Sequence, residues 1–309
     1  MTRGRPVKVR LNAVVLAVRD ERPLLLTVAA GDAAGAEALP AGELDADGDR
    51  TLELALRRLV REQAGLELGY VEQLYTFGDR GRDPRERVLS VAYLALVGED
   101  RAAPAAAGAR GTAWRDGYAL FPWEDWRTAR PAALDRVIAP ALRDWAEGAV
   151  ERQERAAINF GLGGSPWDPT RVLERYELLY ELGLVAERAR DRQERSGTAL
   201  GQAMALDHRR MVATALGRIR GKLSYRPVVF ELLPEAFTLS RLQRVVEALA
   251  GMRLHTPNFR RLIERGGLVE RTGKMATHTG GRPALLYGFR REVLRERPAP
   301  GVGLPRSAP

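Results

Sequence analysis

Residues 226–290 constrain the fold of this chain more than any other stretch, because their local signals fall in one order. Thr238 is an N-cap residue ahead of Leu239, Leu242, Val246 and Leu249, which recur at helical spacing, and Gly251 ends the stripe. Thr256 followed by Pro257 opens a second helix over 258–265. Its apolar residues Phe259, Leu262 and Ile263 are expected to turn inward, leaving Asn258, Arg260, Arg261 and Arg265 outside. Two short strands, 268–271 and 284–289, then flank a tip that carries Lys274, His278, Gly280, Gly281 and Arg282.

Helix, turn, basic helix and glycine-tipped hairpin make up a winged helix-turn-helix, which predicts duplex DNA as a partner. A helix face of arginine and asparagine can offer donors to base edges in a major groove. A basic hairpin beside it can follow the phosphates, and an arginine at its tip can enter a minor groove. DNA contacts are therefore expected from Thr238, Arg241, Thr256, Asn258, Arg260, Arg261, Arg265, Lys274, His278 and Arg282. The charge agrees. Residues 209–291 hold 17 Lys or Arg against 5 Asp or Glu, an excess of +12 within a total of +9, so the rest of the chain is about −3. RNA is disfavoured, since no aromatic stacking platform with basic flanks is present.

A length of 309 residues allows two domains and a linking element. With 45% hydrophobic and 29% charged residues, the composition is that of a soluble globular protein, and no apolar run approaches the roughly 20 residues of a membrane helix. The basic start runs straight into an alternating strand, so no targeting segment is read and a cytoplasmic location is expected. The absence of cysteine excludes disulfides, zinc-thiolate sites and thiol catalysis. Three scattered histidines, at 208, 255 and 278, argue against a metal site.

The first 150 residues carry a different pattern. Strands are predicted at 7–17 and 23–29 around a turn at 19–22, then a glycine-rich stretch at 31–48. A helix over 52–64 has its stripe at Leu52, Ala55, Leu56, Leu59 and Val60, and Gly65 closes it. A buried strand follows at 88–97, a surface loop at 99–112 and a helix at 131–150. Next comes a helical connector over 151–225. Asp168, as an N-cap with Pro169, opens a stripe of Val172, Leu173, Tyr176, Leu179, Tyr180 and Leu184. A further helix spans 201–223, in one piece or broken near His208. Such helices suit pairing across a dimer axis. The domains expected are thus 1–150, the connector 151–225, the winged module 226–292 and a disordered tail 293–309.

Residues 39–66 resemble the Nudix box, a glycine loop before a helix whose glutamates hold magnesium against a diphosphate. Anchored at Gly65 and Leu66, the chain keeps Arg58, Val60 and Glu62. It has Arg50 at the early glutamate position, Leu59 after Arg58, and Gln63 as the second of the paired glutamates. Gly42 lies two residues early for the box glycine. Magnesium prefers hard, charged oxygens in an octahedron, and one carboxylate, one amide and one leucine bind it poorly. Glu53, Glu67 and Glu72 are the acids left as unconventional ligands. No metal site and no efficient hydrolysis are expected, but a fold stripped of acids can still hold a nucleotide. The fold class expected is α/β and α+β: a Nudix-like α/β/α sandwich, a helical connector and a winged helix-turn-helix.

Several further blocks are similar to the Nudix-related transcriptional regulators of NAD metabolism, of NrtR and NadQ type. They are YTFGD (75–79), RDP (82–84), SVAY (90–93), LGRIRGK (216–222), FELLP (230–234), FTL (237–239), NFRR (258–261), GRP (281–283) and LY (286–287). The resemblance covers 7–150 and 213–290, and the long connector suits the NadQ-like branch. It implies a dimeric repressor of NAD genes on a near-palindromic operator, with ADP-ribose, NAD or ATP as effector and no required cofactor. The ligand residues expected are Arg10, Asn12, Arg58, Glu62, Asp79, Arg82 and Asp83, the arginines pairing bidentately with a diphosphate. The alternative is an active Nudix nucleoside diphosphate hydrolase with an accessory nucleic-acid-binding domain.

Overall fold

The computed structural model of the chain describes residues 6–30, 36–83, 86–105, 111–194, 197, 199–276 and 283–302. The first domain is a mixed sheet. β1 (Lys8–Arg19), β2 (Arg22–Ala29), β3 (Glu37–Ala38), β4 (Ala41–Glu43), β5 (Tyr70–Phe77), β6 (Val88–Leu96) and β7 (Thr112–Asp116) form it. Its main order is β3-β2-β1-β6-β5, with β4 added to β1 and β7 to β2. β1 and β6 are parallel, from Lys8 opposite Val88 to Leu16 opposite Leu96, and the other pairs are antiparallel.

β1 shows why this sheet lies between two layers. Leu11, Ala13, Val15 and Ala17 belong to one apolar cluster, and Val14, Leu16 and Val18 to another. A period of two with both faces buried requires cover on each side. On one side the cover is α1 (Leu52–Ala64), whose Ala55, Leu56, Leu59 and Val60 are buried. Thr51 caps it by accepting from Leu54 N–H, and Gly65 ends it in the left-handed region at φ 63°. α2 (Glu99–Ala105) completes that layer through Ala102. The segment expected as a surface loop thus starts as a short helix, with Glu99 and Asp100 in its first turn.

The other side is covered by much of the remaining chain. α3 (Gly117–Leu120) and a tight turn at Pro122–Glu124 lead to α4 (Ala139–Ala146) and α5 (Val150–Phe160). The connector helices are α6 (Val172–Glu181), α7 (Ala186–Arg192) and α8 (His208–Leu223). The winged module holds α9 (Leu239–Ala250), α10 (Thr256–Gly266), β8 (Val269–Ala276) and β9 (Ala284–Phe289), followed by α11 (Val293–Glu296). One cluster joins Leu16 and Val18 of the sheet to Phe121 and Trp123, Leu178 of α6, Ile219 of α8 and Val246 of α9. The connector is therefore an inner layer of a continuous core.

Three local expectations change. Asp168 does not cap α6, which begins at Val172 behind Arg171; Asp168 instead accepts from Thr170 N–H and Oγ1–H in a preceding turn. Thr256 is the first residue of α10 with His255 at the cap, and its hydroxyl accepts from Gln243 Nε2 at 3.1 Å. The tail is ordered through residue 302, because Val293 and Val302 are buried and Val302 N–H donates to Leu223 O at 2.8 Å. Proline and glycine content pointed to disorder there, but two buried valines suffice to hold the segment. Residues 303–309 lie outside the described residues.

Candidate functional site

A cavity of about 550 Å³ opens between β1, the β3–β4 segment and the C-terminal half of α1, lined among others by Arg10, Leu39, Gly42, Gln63 and His208. Its α1 wall departs from a magnesium site in a specific way. Gln63 Nε2–H donates to Ala41 O at 2.7 Å and its Oε1 accepts from Ala41 N–H at 3.2 Å. A glutamate could not make the first of these bonds. Leu59 lies against Gly42 so closely that a Cβ there would stand 2.4 Å from a leucine methyl. Two helix positions that would present carboxylates thus serve to seal α1 onto β4. Among the described residues no group of three or more His, Cys, Asp or Glu side chains is placed to hold a cation. The donor set does not fit magnesium.

The floor of the cavity contains His208, the first residue of α8, only 4% exposed. Leu39 N–H donates to its Nδ1 at 3.0 Å, so the neutral ring carries its proton on Nε2. Nε2 lies 3.1 Å from Asn12 Nδ2, while Asn12 Oδ1 has no partner. Two donors do not bond, so the Asn12 amide is assigned reversed, with its oxygen accepting from His208 Nε2–H. The other polar atom of that amide is also buried, on the same face of β1 as Arg10. Burial pushes the imidazole down to about 4; Asp207 opposes this, and Arg82 and Arg10 add to it.

The expected ligand residues divide. Arg10 lines the cavity, with Asp83 Oδ2 and Glu86 Oε1 each 3.4 Å from its guanidinium, and Asn12 lies beneath it. Arg58 and Glu62 are not brought to the cavity: on the outer side of α1, Arg58 bonds Asp49 at 2.9 Å and Glu62 at 3.1 Å. Asp79 and Arg82 are bonded to the connector and line, with Asp207 and Arg210, a second cavity of about 330 Å³. Arg82 makes a two-pronged pair with Asp207 and donates to Ser90 Oγ, and Asp79 pairs with Arg210 at 2.8 Å. Asp83 is buried beside Arg10. Gln63 was seen in sequence only as a missing acid. His208 gave no signal, because its partner Asn12 lies 196 positions away.

In the winged module α10 buries Phe259 and Ile263 and exposes Asn258, Arg260, Arg261, Leu262 and Arg265. Leu262, expected inside, is 46% exposed. Arg261 donates to Asn258 Oδ1 at 3.1 Å, and neither Arg260 nor Arg265 has a carboxylate partner among the described residues. The turn before α10 is fixed by buried groups: Gln243 donates to Leu254 O, and Glu247 accepts from Leu254 N–H. β8 and β9 pair antiparallel, with an irregularity between Arg271 and Met275 at Gly273, and Phe237 bridges to Tyr287 as a third edge. Thr238 caps α9 by accepting from Arg241 N–H, and the Arg241 guanidinium is held by Glu99 at 2.5 Å. Lys274 is exposed on β8; His278 and Arg282 lie outside the described residues. Part of the basic excess is internal, since Arg209 and Arg220 are fully buried and paired with Glu187 and Glu124.

Comparison with known proteins follows the same division. Residues 8–140 match the NUDIX domain family, and residues 229–289 match the NrtR DNA-binding winged helix domain family. The chain is 24% identical over 252 residues to a protein of Acinetobacter baylyi named "ADPR responsive transcriptional repressor NtrR", across 82% of this chain and 69% of that one. The crystal structure of Shewanella oneidensis NrtR complexed with a 27mer DNA has a TM-score of 0.59 to it at 22% identity, covering 93% of this chain and 95% of that one. A MutT/nudix family protein from Enterococcus faecalis gives 0.55 at 16% identity, covering 94% and 89%. At such identities the likeness to these structures establishes the fold along nearly the whole chain.

Proposed function

We propose that this chain, a NUDIX domain joined to an NrtR-type winged helix, is a DNA-binding repressor of NAD biosynthesis genes controlled by a nucleotide held in the cavity beside α1. The observation that carries the reading is the outer face of α10. Arg260 and Arg265 there have no carboxylate partner among the described residues, and Arg261 bonds only a neighbouring asparagine. A winged helix exposes such a face to donate to base edges and phosphates. Arg10 gives the cavity guanidinium donors for a diphosphate or ribose oxygen. The name of the Acinetobacter relative favours ADP-ribose among the candidate effectors ADP-ribose, NAD and ATP. The bonds of Gln63 and the packing of Leu59 support binding without hydrolysis. Two copies reading half-sites about 34 Å apart would need a near-palindromic operator. Such a repressor works in the cytoplasm, where the chromosome is.

Gel-shift titration with duplexes from upstream of NAD-synthesis genes tests this. Wild-type protein should shift the DNA, and saturating ADP-ribose should change its affinity about tenfold, which corresponds to roughly 1.4 kcal/mol of coupling. Combining Arg260→Ala with Arg261→Ala should weaken binding by at least about tenfold at unchanged melting temperature, because both side chains are exposed. Undiminished affinity in that double variant would remove α10 from the interface. Incubation with ADP-ribose and magnesium should give no steady AMP release. Steady release abolished by Glu62→Gln would replace this reading with a hydrolase.

A further inference from the structure

We propose that His208, contributed by the connector and lying well beyond the NUDIX domain, completes the effector cavity and transmits its occupancy along α8 to the winged helix. The proposal rests on the functional reading above and identifies how the cavity is coupled to α9.

Both ends of α8 are fastened. At the cavity end His208 bonds Leu39 N–H and the Asn12 amide, Asp207 grips Arg82, and Arg210 pairs with Asp79. The segment leading into it is also tied to the sheet, since Ala205 N–H donates to Glu37 O at 2.8 Å. Twelve residues on, about 18 Å along the helix, Arg220 is fully buried against α9. Its Nε–H donates to Leu249 O at 3.0 Å and its Nη2–H to Tyr118 Oη at 3.2 Å, and the Tyr118 hydroxyl donates to Ala248 O at 2.7 Å. Between these ends Met211, Ala215, Leu216 and Ile219 are buried. A close-packed helix with no slack at either end moves as a unit.

The cavity end is also where a ligand has something to gain. His208 lines the cavity, and its Nε2–H meets the amide of Asn12. A ligand oxygen that takes the Asn12 oxygen's place on His208 Nε2–H changes what the first residue of α8 is bonded to. Occupancy then prefers one position of α8, and only such a preference can shift DNA affinity.

The experiment measures operator affinity with and without saturating ADP-ribose for wild type, His208→Ala and Tyr118→Phe, with ADP-ribose binding measured separately by calorimetry. Wild type should respond about tenfold. His208→Ala should bind ADP-ribose more weakly, and once saturated with it should change its DNA affinity less than about twofold. Tyr118→Phe, which loses only the far-end hydroxyl, should lose response in the same way with ADP-ribose binding unchanged; it carries the test if His208→Ala does not fold. Variants that bind ADP-ribose and respond like wild type would overturn the α8 path while leaving the functional reading intact. A wild-type protein that binds ADP-ribose without any change in DNA affinity would overturn both.

Discussion

His208 illustrates how one side chain acquires a property that its residue type does not have. In water an imidazole titrates near 6.5, but burial beneath Leu39 and Asn12 lowers it to about 4, so it is neutral throughout the physiological range. A group whose pKa is depressed on folding stabilises the fold fully above its unfolded pKa and loses that contribution as pH falls. Here the window runs from 6.5 down to about 4, and the loss between pH 7 and pH 5 is roughly 2 kcal/mol. Melting curves at pH 7 and pH 5 should therefore separate by more in wild type than in His208→Gln, which has no titrating ring. Equal separations would show that the histidine is not held neutral. At the same scale, Gln63 and Leu59 show that a lost acid can be a gained contact. The amide bridges both polar atoms of Ala41, and the leucine fills the space above Gly42.

Among the elements, α1 and α9 both end in glycine at a left-handed φ, 63° at Gly65 and 73° at Gly251. The signals in sequence are identical and the surroundings are not. A Cβ on Gly65 meets nothing within 4 Å, whereas one on Gly251 would stand 2.3 Å from Glu124 O. Gly65→Ala should cost about 1 kcal/mol of backbone strain. Gly251→Ala should cost clearly more, because the added atom runs into the turn that carries Glu124. Denaturant titration of the two variants compares them directly, and equal losses would mean that α9 shifts freely relative to that turn. The sequence predicted α1 at its observed limits, and α9 to within one residue, because amphipathic stripe, cap and closing glycine agree there. It erred at α6 and α10, where proline and a polar residue read equally well as a cap or as a first turn.

Taken whole, the molecule is organised around Glu124, a fully buried carboxylate between two fully buried guanidiniums. Arg175 of α6 meets it at 2.6 Å and Arg220 of α8 at 2.6 Å. Burial alone would raise its pKa, but the two arginines outweigh that and hold the carboxyl below its usual range. Its stabilising contribution is thus present at neutral pH and lost in acid, as pH falls through the lowered folded value. Replacing it in Glu124→Gln leaves two buried cations without a counter-charge and should cost about 3–5 kcal/mol. Since the same core runs from the sheet through α6 and α8 to α9, scanning calorimetry of the wild type should show one transition. Two resolved transitions would contradict a shared core.

Local order was legible in the chain itself: the two domains, the stripes of α1 and α9, the exposed arginine face of α10, and the gaps in the Nudix box. Each depends on spacings of a few residues, where helix and strand periods act directly on the sequence. The role of the connector was not legible. Asp79 and Arg82 read as ligand contacts, and their bonds to the connector gave no sign; His208 and Glu124 read as nothing in particular. Their partners lie between 51 and 196 positions away, and only the packed fold brings them within reach. Burial then sets the charge of His208 and Glu124, because a low-dielectric interior admits an ion only beside its counter-ion and otherwise keeps the group neutral.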